Sequence, residues 1–144
     1  MLKEKLSKDI IQAMHDRDTV AKAVLTVLKA AVLNEEKRLQ RDITHDEGLT
    51  ILQRERKQIK DSIEGFTKAN RHDLIEKEQL KLAIVDSYLP KQLTVEELYA
   101  ILDERGITST DSFVKLMGEI SKEYKGQVDG KTLSDVIRKA IKKV

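Results

Sequence analysis

The residues best placed to do chemistry lie near the C-terminus. Gly126-Gln-Val-Asp-Gly-Lys-Thr132 sets a glycine and then a Gly-Lys-Thr triplet much as a nucleotide-binding loop would. A phosphate cradle needs four residues between that first glycine and the triplet, and a strand before it. Here there are three, and the preceding residues have the period of an amphipathic helix. ATP or GTP binding by this segment is therefore not expected. A weaker capacity remains, because Gly130 and Lys131 open a helix whose free amides and lysine can attract one phosphate oxygen. Asp129, as the N-cap, competes for the same amides. The other chemically active groups are cations: Lys115, Lys122, Lys125, Arg138, Lys139, Lys142 and Lys143. Lys115 and Lys122 share a helical face with Glu119 between them, and Asp135 is placed to pair with Arg138 and Lys139. Taken alone, this pattern is more often a solvated, salt-bridged face than a site for RNA.

No constellation points to catalysis. His15, His45 and His72 lie 30 and 27 residues apart, so no two share a helix turn, and there is no cysteine to complete a metal site. The paired carboxylates Glu35-Glu36, Glu96-Glu97 and Asp103-Glu104 each belong to a charged helix or its end, with nothing to desolvate them for acid–base work. Nucleophile-elbow and zinc-protease helix motifs are absent from the sequence. Five aromatics, Phe66, Tyr88, Tyr99, Phe113 and Tyr124, are too few and too core-like to stack nucleic-acid bases. The expectation is no catalytic residue, no metal and no cofactor.

What must position the basic residues is a set of helices. Leu2, Leu6, Ile10 and Met14 mark one face of a first helix ending near Asp16. Asp18 caps a second, which carries Ala21, Leu25, Leu28, Val32 and Leu39 to about Gln40, with Glu35 breaking the seam. Thr44 and Glu47 form a capping box. Leu49, Leu52, Ile59, Ile63 and Phe66 then hold a seven-residue repeat with Arg56 in the remaining seam position, the pattern of a long helix packed lengthwise on a neighbour; a short seam with a charge in it favours an intramolecular antiparallel hairpin over a dimeric coiled coil. After a break at Ala69-Asn70-Arg71, a fourth helix runs from His72 to Tyr88. Its wide stripe of Leu74, Leu80, Leu82, Ile84, Val85 and Leu89 predicts the most buried of the long helices. Pro90 ends it.

A boundary falls within Tyr88–Leu93, and a second capping box, Thr94 and Glu97, follows at once. Three short amphipathic helices are expected after it. The first carries Leu98, Ile101 and Leu102 and stops at Gly106, and a polar turn follows at Thr108–Thr110. The second carries Phe113, Leu116, Met117, Ile120 and Tyr124 and stops at Gly126. The third carries Leu133, Val136, Ile137, Ala140, Ile141 and Val144. The domains read from this are 1–93, a bundle of long antiparallel helices, and 94–144, a small three-helix domain.

Composition agrees with an all-α class. The 144 residues include one proline, six glycines and no cysteine, and 40% are apolar. The apolar content and the near balance of 27 basic against 25 acidic side chains exclude global disorder and a disulfide scaffold. No apolar run approaches the roughly 20 residues of a membrane span, and the N-terminus has no apolar signal core. A cytoplasmic protein without a membrane partner is expected. Charge is uneven within the second domain. Residues 94–112 hold one base and five acids, whereas 113–144 hold eight bases and four acids.

Several words occur together and in order: Leu28-Lys-Ala-Ala-Val-Leu-Asn-Glu35, Asp73-Leu-Ile-Glu-Lys-Glu78, Tyr88-Leu-Pro-Lys-Gln-Leu93, Thr94-Val-Glu-Glu-Leu98, Lys115-Leu-Met-Gly118 and Lys125-Gly-Gln-Val-Asp-Gly-Lys131. With them the whole chain resembles the GatB/YqeY family of small bacterial proteins. Residues 94–144 resemble the tail domain of GatB in the glutamine-dependent aminoacyl-tRNA amidotransferase, a carbon–nitrogen ligase with glutamine as amido donor. The resemblance implies that this tail meets a tRNA while distant domains do the chemistry. It marks Lys115, Gly118, Lys125, Gly126, Gly130 and Lys131, to which the neighbouring Lys122 and Arg138 are added as RNA-binding candidates. The large catalytic domain of that enzyme is missing here, so no ligase activity is expected of this chain alone. The expected partner is tRNA or another structured RNA. The alternative is a helical adaptor of the translation machinery, with the helices over 19–40 and 46–68 offering grooves to a partner helix. The sequence does not specify an oligomeric state.

Overall fold

The computed structural model describes residues 1–108 and 111–143, the last without its side chain. Two residues of the expected polar turn (Ser109 and Thr110), the Lys143 side chain and Val144 lie outside the described residues. All regular structure among those described is helical: α1 Leu2–His15, α2 Thr19–Leu39, α3 His45–Lys68, α4 His72–Asp86, α5 Val95–Arg105, α6 Phe113–Glu123 and α7 Gly130–Lys143. The chain divides into two compact units, Met1–Leu89 and Pro90–Val144.

The helix starts are written in local polar chemistry. Asp18 Oδ1 accepts from the Ala21 N–H at 3.0 Å. Both capping boxes form: Glu47 and Glu97 N–H donate to the hydroxyls of Thr44 and Thr94, whose own N–H groups donate back to the two carboxylates. Arg41 adds two hydrogen bonds to Glu47, at 2.7 and 2.9 Å. With Arg41 as the main cause and the Thr44 amide second, the Glu47 carboxyl is held down to about 2 from its ordinary 4.5. The sign follows from linkage: a folded value below the unfolded one stabilises above pH 4.5 and is lost as pH falls toward 2. The start of α3 is thus expected to hold at pH 5 and fray on acidification across that window. An NMR titration of Glu47 with its midpoint near 4.5 instead would refute the cap.

In the first unit α2 is the central helix, touching α1, α3 and α4. It buries Val24, Leu25, Leu28 and Val32, which join Leu6, Ala13, Ile51, Leu52 and Val85 in one core. Two expectations fail here. Met14 is 55% exposed and Ala13 takes its place in the core. Each four-residue step overshoots a full helical turn by about 40°, so the series Leu2, Leu6, Ile10, Met14 rotates off the buried face. The fourth helix is not the most buried of the long ones. Val85 is its one buried residue, and Leu80 is 58% exposed. α4 packs along α3 and one side of α2, so its wide stripe is only partly covered. Arg56, in the α3 seam, is accommodated because its Nε donates to Asp86 Oδ1 on α4 at 2.6 Å. A half-buried charge in a seam is tolerable when a partner neutralises it.

In the second unit α7 touches both α5 and α6. Leu98, Leu102, Leu116, Ile120, Leu133, Val136, Ile137 and Ala140 form a separate core, with no residue shared with the first. Gly106 closes α5 in the left-handed conformation, φ +62°. α6 ends two residues earlier than its glycine suggested: Tyr124 caps it, and Gly126, φ +81°, lies in the following turn.

Candidate nucleic-acid interface

The basic residues sit on the outward sides of α6 and α7 and on the turn between them. On α6, Phe113, Leu116, Met117 and Ile120 face the core. Lys115, Gly118 and Lys122 follow at i, i+3 and i+7 on the opposite side, and all three are exposed. On α7, Leu133, Val136, Ile137 and Ala140 are buried, and Lys131, Arg138 and Lys142 form the outward stripe, with Asp135 among them. Lys125 is exposed in the turn, Gly130 is the exposed first residue of α7, and Gly126 is buried. The guanidinium of Arg138 stands 5.0 Å from the centre of the Phe113 ring, so the middle of α7 reaches the start of α6. An aromatic face attracts a cation without neutralising it.

Four acids share residues 113–144 with these cations, and the structure occupies three of them. Arg105 at the end of α5 lies 3.6 Å from Glu119 and hydrogen-bonds Glu123. The two carboxylates nearest Lys115 and Lys122 along α6 are therefore held by a base from another helix. Asp129 turns inward on its own helix: its carboxylate accepts from the Lys131 N–H at 3.1 Å and from the Thr132 hydroxyl at 3.3 Å. This is the expected N-cap, and it occupies the Lys131 amide, one of those that an outside anion would otherwise take. Among the described residues no acid lies within 4.0 Å of the Lys115, Lys122 or Lys125 ammonium. A hollow of about 230 Å³ beside Lys115 also has Arg105, Asp111 and Glu119 in its wall, so its own charges balance.

The glycines differ in kind. Gly126 needs its left-handed backbone, which L side chains rarely adopt. Gly118 has no such reason: it lies mid-helix, and a Cβ there would meet nothing within 4 Å. Its missing side chain leaves a bare stretch of helix between Lys115 and Lys122. Gly118→Ala is expected to stabilise the second unit by about 0.5–1 kcal/mol, the usual penalty of glycine in a helix interior, read as a higher urea midpoint. A lower midpoint would mean that the glycine has a structural role.

Two participants escaped sequence reading. Arg105 is the one base among the acids of 94–112, and that isolation was its only signal. Gln92 lies just before α5, and its Nε2 donates to the carbonyls of Gly126 at 2.6 Å and Pro90 at 3.0 Å. The next residue adds a backbone bond, Leu93 N–H to the Gln127 carbonyl at 2.8 Å. Contacts between residues 34 positions apart leave no periodic trace.

The histidines occupy helix ends, His15 last in α1, His45 and His72 first in α3 and α4. Among the described residues no group of three or more His, Asp or Glu side chains could hold a metal ion. No helix among them is long and apolar enough to cross a membrane.

Compared with known proteins, residues 3–141 match the family described as Yqey-like protein. The chain is 29% identical over 138 residues to a fungal protein of Pyrenophora tritici-repentis named altered inheritance of mitochondria protein 41, mitochondrial, covering 95% of this chain and 72% of that one. Proteins of the same name from Eremothecium gossypii and Lachancea thermotolerans are 32% and 35% identical over 105 and 89 residues. These matches cover 68% and 58% of this chain, and 55% and 46% of the two relatives, so the chain spans about half the length of each.

Proposed function

The chain belongs to the YqeY family of Yqey-like proteins, and from that premise we propose that it is an accessory protein that binds tRNA or another structured RNA through α6, α7 and the turn between them. The observation that carries this reading is the disposal of the acids. Arg105 holds Glu119 and Glu123, and Asp129 caps α7, while Lys115, Lys122 and Lys125 stay exposed. Ammonium groups left without a carboxylate gain most from a polyanion, because each phosphate they neutralise releases counterions. Arg138, held over an aromatic ring, keeps its charge available in the same way. The contacts are to phosphate and sugar, which position a folded RNA without reading bases. Gly118 fits this role, since a bare helix surface between two lysines lets a sugar–phosphate backbone approach closely.

The test is binding of unfractionated deacylated tRNA, followed by fluorescence anisotropy over a series of salt concentrations. A phosphate-led contact weakens steeply with salt, with a log–log slope of about −0.7 to −0.9 per phosphate engaged. Affinity that does not respond to salt would end the proposal. Gly118→Gln, which keeps the charge and the helix, should weaken binding severalfold.

The catalytic domain of the amidotransferase has no counterpart in this reading, so the role is accessory and any carbon–nitrogen ligase chemistry belongs to a partner. Turnover by the purified chain with misacylated tRNA, glutamine and ATP would overturn that. Cytoplasmic residence and a division into a long-helix bundle and a three-helix domain are part of the same proposal; the fungal relatives are, by name, mitochondrial.

One observation favours the adaptor as a second reading. A groove of about 260 Å³ runs between α2, α3 and α4, floored by Val24, Leu28, Ile59 and Val85 with Val27 55% exposed at its edge. Glu55, Gln58, Ser62, Glu78 and Lys81 also line it, and an apolar floor with polar walls suits one face of an amphipathic helix. A translation-factor complex that survives ribonuclease and is lost on Val27→Asp would support it.

A further inference from the structure

Resting on the RNA-binding reading, we propose that Gln92 is the positioning residue of the basic turn, fastening Lys125–Lys131 in the conformation that presents its lysines. This segment, the turn and the first two residues of α7, carries Lys125, Gly126, Gly130 and Lys131, half of the candidate residues. Within it the Gln127 N–H donates to the Tyr124 carbonyl at 2.9 Å, and Asp129 ties down the start of α7. A second fastening comes from Pro90–Leu93, far away in sequence. The Gln92 amide reaches the Gly126 carbonyl at 2.6 Å, and the Leu93 N–H reaches the Gln127 carbonyl at 2.8 Å.

The chemistry explains why a glutamine stands there. The Gly126 and Pro90 oxygens that its Nε2 reaches are both carbonyls, so the position calls for a group that donates twice. A glutamate would set an acceptor against two acceptors. The Gly126 carbonyl sits on a residue with φ +81°, a conformation that glycine visits but does not strongly prefer over others. The bond from Gln92 selects it. With that bond present, Gly126 is buried and Lys125 next to it points to solvent. Without it, the turn loses its side-chain tie to the distant segment and samples more conformations, and an RNA would have to order it on binding. Preorganisation of this kind raises affinity by removing an ordering cost, with no contact to the ligand. Gln92 thus acts on RNA binding through Lys125 and Lys131 and does not touch the RNA.

Two variants separate this role from plain stability: Gln92→Met, which keeps the bulk and removes the donor, and Gln92→Ala. Amide hydrogen exchange without RNA reads the fastening. The Gln127 amide, which donates to the Tyr124 carbonyl, is expected to lose at least tenfold of its protection in both variants, while the amides of α7 around Val136 and Ile137 keep theirs. Binding to unfractionated deacylated tRNA reads the consequence. Affinity is expected to fall about fivefold to tenfold in each, with a shallower salt slope as the turn lysines disengage. The decrease should vanish in a Lys125→Gln/Lys131→Gln background, because the residues through which Gln92 acts are already gone. A turn that keeps its protection in Gln92→Met overturns the proposal, whatever the RNA result. So does a turn that opens while tRNA affinity stays unchanged, or a loss that adds fully to that of the double lysine variant. If the unaltered protein binds no tRNA, the RNA-binding reading falls and this inference with it, and hydrogen exchange then reports the turn's fastening as a structural fact alone.

Discussion

Replacing Lys122, Lys125 and Lys131 together with glutamate is expected to abolish tRNA binding, lowering affinity at least about a hundredfold at low salt. Each reversal exchanges an attraction of about 1 kcal/mol at contact in water for a repulsion of similar size. Three such exchanges sum to roughly 6 kcal/mol unscreened, and screening to half of that still leaves two orders of magnitude. All three residues are exposed, so the fold should survive, and unchanged helicity by circular dichroism checks that it does. The control is the same charge change elsewhere: Lys22, Lys37 and Lys57, exposed on α2 and α3, replaced with glutamate. A small effect there beside a large one at the C-terminal end would locate the interface. Equal effects would mean that net charge alone drives binding, and no effect at either would remove the interface.

Ile137→Ala is expected to unfold the second unit and leave the first folded. Ile137, Leu133 and Ile120 are each 0% exposed in a core of eight buried residues. Truncating a fully buried isoleucine costs about 2–5 kcal/mol. A single core in a domain of this size rarely supplies more than about 3–5 kcal/mol in total. The core of the first unit, centred on Leu28 and Val32, contains none of these residues. Far-UV circular dichroism should therefore lose about a third of its helical signal, the share held by α5–α7. Hydrogen exchange should keep α2 protected. Collapse of both units in one transition would show that their stabilities are coupled. Unfolding of the second unit should also abolish tRNA binding, and saturating tRNA should restore part of the lost helix if the ligand selects the folded form.

The helical class, the helix starts and most core positions were legible in the residues themselves. A capping box is a contact over three positions, and a buried stripe repeats every three or four, so the signals at Thr44, Thr94, Leu116 and Leu133 are local. Local physics sets these features whatever the helices later pack against. The errors came where packing chose among faces that periodicity left equivalent. Met14 and Ala13 are neighbours in sequence, and the pitch of the helix sends only one inward. The α4 stripe is wide in sequence, yet α2 occupies the centre and leaves Leu80 in water.

For the candidate site, the sequence determined which charges lie on α6 and α7, and only the tertiary structure decided how the acids among them are engaged. Glu119 looked from its position like the partner of Lys115 and Lys122, but Arg105 holds it from α5. Gln92 looked like part of a linker, and it is bonded to a turn 34 residues away. Spacing along one helix predicts neighbours within that helix. Which carboxylate a guanidinium finds, and which carbonyl an amide finds, depends on helices brought together by a shared apolar core, and that choice is made in three dimensions.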